Sequence, residues 1–203
     1  MPDDLLAFLG ISLVVIMTPG QDTALTIRNT LVAGRPNGVN TAAGVASGQL
    51  VWALAASTGL AALLAASEPA FDALKLAGAA YLVILGLHAL RDAVRGTATA
   101  REASPGTAHG FRQGLISNLG NPKMAVFFTG LLPQFAPEAG PAFATMLALG
   151  VVFAGLTLTW LTLYAFAVER ARHALGNAAV RRTLDAVTGT ALIALGLRVA
   201  TDS

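Results

Sequence analysis

Six apolar stretches run through the chain, over 5–30, 39–66, 71–90, 111–135, 143–168 and 184–200. A membrane-spanning helix needs about 20 consecutive, mostly apolar residues, and six such stretches leave little chain for anything else. The pattern predicts an all-α membrane protein of six transmembrane helices, a single transmembrane domain over 1–203. Charged residues make up only 12% of the sequence, against roughly 25% in an ordinary soluble domain. The 21 glycines fit the same reading, because glycine lets spanning helices pack closely.

The arginines sit in short segments between the stretches. Arg28 and Arg35 lie between the first and second, Arg91, Arg95, Arg101 and Arg112 between the third and fourth, and Arg170, Arg172, Arg181 and Arg182 between the fifth and sixth. The opposite ends carry Asp3, Asp4, Glu68, Glu138 and Asp202, with only Lys75 and Arg198 near them. By the positive-inside rule the arginine-bearing loops are expected to be cytoplasmic and both termini outside, in a multi-pass membrane protein. The net charge of +2 therefore reads as a topology signal and not as a nucleic-acid surface. No cleavable leader is expected, since Asp3 and Asp4 stand where a basic segment belongs. Absence of cysteine excludes disulfides, thiolate metal sites and thiol redox chemistry.

The halves 1–95 and 108–203 look related. "YLVILGLHAL" (Tyr81 to Leu90) aligns with "ALIALGLRVA" (Ala191 to Ala200), Trp52 with Trp160, and Pro19 with Pro122. Three spans per half reverse the direction of entry, so the second half is expected to be an inverted repeat of the first. That plan places substrate near the midplane, where helices are broken.

Two polar interruptions supply such breaks. "TPGQD" (Thr18 to Asp22) cuts the first stretch and "GNPKM" (Gly120 to Met124) the fourth. Proline removes an N–H and clashes with the preceding turn, so both helices are expected to kink or unwind at Pro19–Gly20 and at Pro122. Unwound backbone at membrane depth is tolerated only against protein or a water-filled cavity. Lys123 lies about 18 Å of helix from either end of its stretch, too far to reach an interface, and a charge at the membrane centre costs about 2.5–3.5 kcal/mol. Charges kept at that cost are usually functional; the plainer alternative is that Asp22 and Lys123 pair with each other or cap the broken helices. Asp22, Lys123, Asn121 and Gln21 are the candidate substrate or proton-coupling residues, with Thr18, Asn118 and Gln49 along a polar path. The Gly44 to Gly48 segment reads as close helix packing. His109 and His173 read as loop residues and His88 as the end of the third span, and no metal site or cofactor is expected.

With these residues in hand, the chain resembles the LysE/RhtB family of bacterial amino-acid exporters nearly end to end. The resemblance is carried by "TPGQD", the glycine-bearing second span, the basic central loop and "FRQGLISNLGNPKMAVFFTGLLPQF" (Phe111 to Phe135). In the family's usual pattern a second proline stands where this chain has Gln21, and an alanine where it has Met124. The resemblance implies export of amino acids from the cytoplasm, driven by an ion gradient, in a protein that is not an enzyme. The scarcity of intramembrane acids favours neutral substrates such as threonine, homoserine or leucine over lysine. The expected partners are therefore a small amino acid, protons and the lipid bilayer, with a homodimer left open. Asp22 is expected to receive the substrate ammonium, and Lys123 with the N–H groups freed after Pro122 its carboxylate, Asn121 orienting them. The rival is a metal-ion or other small-metabolite exporter of the same superfamily, although oxygen-ligand metal sites usually need several carboxylates. No metal-ligand spacing or nucleophile motif points to a membrane enzyme.

Overall fold

The computed structural model describes residues 2–59, 107–135 and 141–174, with scattered positions within 67–94 and 183–200. The third and sixth expected spans, and His88, lie largely or wholly outside the described residues. Every element among the described residues is helical. In chain order these are α1 (Pro2–Met17), α2 (Gln21–Ala33), α3 (Arg35–Ser57), α4 (Thr107–Leu119), α5 (Pro122–Val126) and α6 (Ala142–Ala174). After α5 the chain continues through a π turn, Phe127–Leu131, and a 3₁₀ turn, Leu132–Phe135.

The first apolar stretch is two helices, and their axes differ by 52°. Taken together they have the length and apolarity of a bent membrane span, and Ala142–Ala171 within α6 meets the same measure alone. The fourth stretch is divided among α4, α5 and the two turns. Leu132 N closes the π turn on Phe127 O, and Pro133 has no N–H to continue an i→i−4 ladder beyond it. Arg28, expected in a loop, stands inside α2. The connection it was assigned to is only Gly34, whose φ of 81° favours glycine. Arg35 begins α3 and lays its guanidinium 4.7 Å from the centre of the Phe166 ring, joining α3 to the far end of α6.

Leu6 and Val14 on α1 and Val151, Leu163 and Phe166 on α6 face outward. In water such residues would be an aggregation liability, whereas facing hydrocarbon they need no cover. Inward, Phe8, Phe127, Phe128, Phe135 and Phe153 form one aromatic cluster. Phe127 stacks on Phe153 at 4.2 Å between centroids, and Phe8 meets Phe135 edge-on at 5.3 Å.

α3 and α4 pack backbone to backbone. A Cβ added at Gly44 would collide with the Phe111 carbonyl, and one at Gly114 with the Thr41 carbonyl. Van der Waals contact is the main attraction between helices in lipid, so this closeness is what holds the pair. Gly44→Ala and Gly114→Ala are each expected to destabilise the protein by about 1–3 kcal/mol through overpacking. Melting in detergent checks this against Gly10→Ala and Gly155→Ala, where no neighbour lies within 4 Å of the new methyl and no destabilisation is expected.

Candidate functional site

At the first interruption, Thr18 ends α1 by donating both its N–H and its hydroxyl to Val14 O, at 3.0 and 2.7 Å. Pro19 has no N–H, so Val15 O loses the partner that a continuous helix would give it. Thr18 O is likewise left open, because the chain passes through Gly20 in an extended conformation (φ −145°, ψ −166°) before α2 begins. Lys123 fills both vacancies: its Nζ donates to Val15 O and to Thr18 O, each at 3.1 Å. The ammonium thus rests on the negative end of the α1 dipole, and a Cβ at Gly20 would stand 3.3 Å from it.

The second interruption builds its own helix start. Asn121 is the N-cap of α5, its Oδ1 accepting from Lys123 N at 3.0 Å, and Pro122 occupies the first helical position, where its missing N–H costs nothing. Met124 N and Ala125 N bond to Asn121 O. The N–H groups expected to be free after Pro122 are therefore engaged by the cap. The uncapped start is that of α2, where Gly20 offers no side chain and the first backbone bond is from Ala24 N to Gly20 O. Backbone donors at Gln21, Asp22 and Thr23 stand ahead of it, at the positive end of the α2 dipole.

Between the two interruptions lies Asp22, 8% exposed. Its Oδ1 accepts from Ser117 Oγ at 3.1 Å, and its Oδ2 from Asn118 Nδ2 and Asn121 Nδ2, both at 2.9 Å. A carboxylate has about four acceptor positions, so one more donor can be taken. Gln21 Nε2 donates to Ser117 O, and Trp52 Nε1 to Asn118 O. Two buried acceptors, Gln21 Oε1 and Asn118 Oδ1, have no hydrogen-bond partner. Buried polar atoms are seldom left so. Gln49, 1% exposed, is also short of partners: Nε2 reaches only Met124 Sδ at 3.5 Å, and Oε1 reaches nothing.

Two helical turns along α2, about 10 Å at 1.5 Å per residue, a second polar layer joins three helices. Asn29 Nδ2 donates to Thr41 Oγ1 on α3 at 2.9 Å and to Gln113 Oε1 on α4 at 2.8 Å. Thr26 lies between the layers and bonds back to Asp22 O.

The structure brings Asp22, Asn118 and Asn121 into direct contact, sets Lys123 on Thr18 and beside Gly20, and places Gln21 against α4. Gln49 faces Met124, and Pro19 itself is exposed. Ser117, Asn29, Thr41 and Gln113 were not anticipated. Asn29 follows Asp22 by seven residues and Gln113 precedes Ser117 by four, spacings that share a helix face and were the available signal. Among the described residues no three His, Cys, Asp or Glu side chains stand close enough to hold a metal ion.

The pattern of LysE type translocators matches residues 13–203, nearly the whole chain and both interruptions. This chain belongs to that family. Individual proteins are also similar to it over most of their length. The chain is 32% identical to the homoserine/homoserine lactone efflux protein of Salmonella typhimurium over 166 residues, 81% of this chain and 80% of that one. It is 28% identical to the membrane protein YrhP of Bacillus subtilis over 203 residues, 96% and 97% of the two chains. A membrane protein of Vibrio cholerae is 34% identical over 146 residues, 72% and 71%. No solved structure matches. The LysE type translocator described here is thus a membrane transport protein.

Proposed function

We propose that this LysE type translocator exports neutral amino acids of the homoserine, threonine or leucine kind from the cytoplasm, by proton antiport, through the site between its two interruptions. The observation that carries the reading is the buried Asp22 carboxylate, contributed by one broken helix and held by three donors from the other, beside acceptors that lack partners. A zwitterion leaving water needs acceptors for its ammonium and donors for its carboxylate. Asp22, Gln21 Oε1 and Asn118 Oδ1 supply the first. Lys123 Nζ and the uncapped N–H groups at the start of α2 supply the second, a helix N-terminus being a natural anion site. With the site empty, Lys123 stays on the α1 carbonyls; the substrate carboxylate draws it off, and Asp22 exchanges its ammonium partner for a proton on the return.

In this reading the two halves are inverted repeats of a six-span protein, and Asn121 to Asp22 is the contact across their pseudo-two-fold axis. The second polar layer, Asn29 with Thr41 and Gln113, closes the cytoplasmic side, with the Arg28 guanidinium on Asn29 Oδ1 at 3.4 Å. The efflux named for the Salmonella relative agrees with the direction of transport.

Counterflow into proteoliposomes tests the substrate class. Labelled homoserine, threonine or leucine is expected to accumulate against an internal load of the same amino acid, and lysine and divalent cations are not. Uptake of a divalent cation in place of the amino acids would overturn the reading. For topology, a reporter fused after Ser203 is expected to be active only in the periplasm; cytoplasmic activity would reverse the orientation.

A further inference from the structure

We propose that Gln49 and Met124 form the subsite for the transported amino acid's side chain, and that Gln49 selects side chains carrying a hydroxyl. The inference rests on the substrate site proposed above and adds what that site would discriminate.

Gln49 is among the most deeply buried polar side chains described, yet its amide is almost unused. Its Nε2 donates to a thioether, a weak acceptor, at 3.5 Å, and its Oε1 has no partner. Nothing about α3 requires a polar group there: the neighbouring inward positions are Val45, Gly48, Trp52 and Ala53. A leucine would fill similar volume with no orphaned atoms, so the glutamine fits a ligand better than it fits the fold.

The position is adjacent to the substrate site from two directions. Gly48, next in the chain, lies against the Asn118 side chain, whose Nδ2 holds Asp22. Met124, which meets the Gln49 amide, follows Lys123 and bonds through its N–H to Asn121 O, and the Asn121 side chain holds Asp22. An amino acid whose ammonium is on Asp22 therefore has the Gln49 amide within reach of its side chain. Met124 is unbranched and adaptable, so it can cover the amide in the empty site and withdraw from an occupant.

The two ends of the Gln49 amide define the ligand. Gln49 Oε1 needs a donor and Nε2 a better acceptor, and a single hydroxyl is both. An ammonium would serve only Oε1 and a carboxylate only Nε2, each bringing an uncompensated charge. A methyl group serves neither. A site built to hydrogen-bond a hydroxyl rejects the isostere lacking it far more strongly than an apolar pocket rejects an added hydroxyl.

Counterflow with two isosteric pairs reads this directly: homoserine against norvaline and threonine against valine. The unaltered protein is expected to favour the hydroxylated member of each pair by at least about tenfold. Gln49→Leu is expected to bring both ratios near one, by slowing the hydroxylated substrates while norvaline and valine still move. Gln49→Asn withdraws the amide by one methylene and is expected to shift the preference from threonine towards the longer homoserine. Met124→Ala is expected to keep the hydroxyl preference and admit bulkier side chains. No hydroxyl preference in the unaltered protein, or ratios that survive Gln49→Leu, would overturn the proposal. Loss of all four substrates in Gln49→Leu with ratios unchanged in Gln49→Asn would assign Gln49 to folding and overturn it equally. If the unaltered protein moves none of the four, the transport reading itself falls, and the subsite with it.

Discussion

Asp22→Asn is expected to abolish gradient-driven export while leaving the fold and substrate exchange in place. The geometry makes this replacement unusually clean. An asparagine at position 22 can turn its carbonyl to Asn118 Nδ2 and Asn121 Nδ2, which now share Oδ2, and its amide to Ser117 Oγ, which now donates to Oδ1. Ser117 then only has to rotate its hydroxyl and accept. All three contacts survive, and the charge alone is lost. Removing it also removes the cost of about 2.5–3.5 kcal/mol for holding a carboxylate at membrane depth, so stability in detergent should hold or rise. What disappears, on the proposed mechanism, is the group that alternates between proton and ammonium. Export driven by a pH gradient should fall to background, and exchange of labelled for unlabelled amino acid should persist at reduced affinity. A variant that still concentrates substrate in response to the gradient would remove Asp22 from the coupling mechanism.

Lys123→Gln is expected to weaken binding of any substrate that keeps its carboxylate by roughly 10- to 100-fold, the scale of a hydrogen bond to a charged group. The backbone N–H of Lys123 stays with its cap on Asn121 Oδ1, so α5 keeps its start. Val15 O and Thr18 O lose the ammonium that now satisfies them, and glutamine is too short to reach both. The informative measurement compares an amino acid with its amide, which lacks the carboxylate charge. The variant should lose affinity for the former and little for the latter, whereas equal loss for both would make Lys123 a cap for α1 and nothing more. The reciprocal exchange, Asp22→Lys with Lys123→Asp, is expected to be inactive. It would set an ammonium against the two Asn NH₂ groups and a carboxylate against the carbonyls of α1. Normal export by that pair would mean that the two residues matter only as opposite charges, and the site would be lost.

The local chemistry of the interruptions was legible in the sequence because it is set by covalent structure. Pro19 and Pro122 lack an N–H wherever they are placed, Asn before Pro is a strong helix start, and two charges amid apolar residues need partners in any packing. Membrane residence was equally legible, since it follows from the length and composition of the apolar stretches. The partners were not legible. Either charge could satisfy the other, and only the placing of Lys123 beside the end of α1 decided that it takes the carbonyl pair opened by Pro19, leaving Asp22 to three side chains of α4 and its break. Nor could the sequence say which uncapped helix end offers donors: Asn121 serves as cap for α5, while Gly20 cannot for α2. Ser117, Asn29, Thr41 and Gln113 are ordinary polar residues on helix faces, and they became two buried polar layers because the glycines of α3 and α4 let those helices approach closely enough to bury them together. Sequence fixes which groups must find partners in lipid; tertiary packing selects the partners, because several choices satisfy the same local need and only one lets all the helices close.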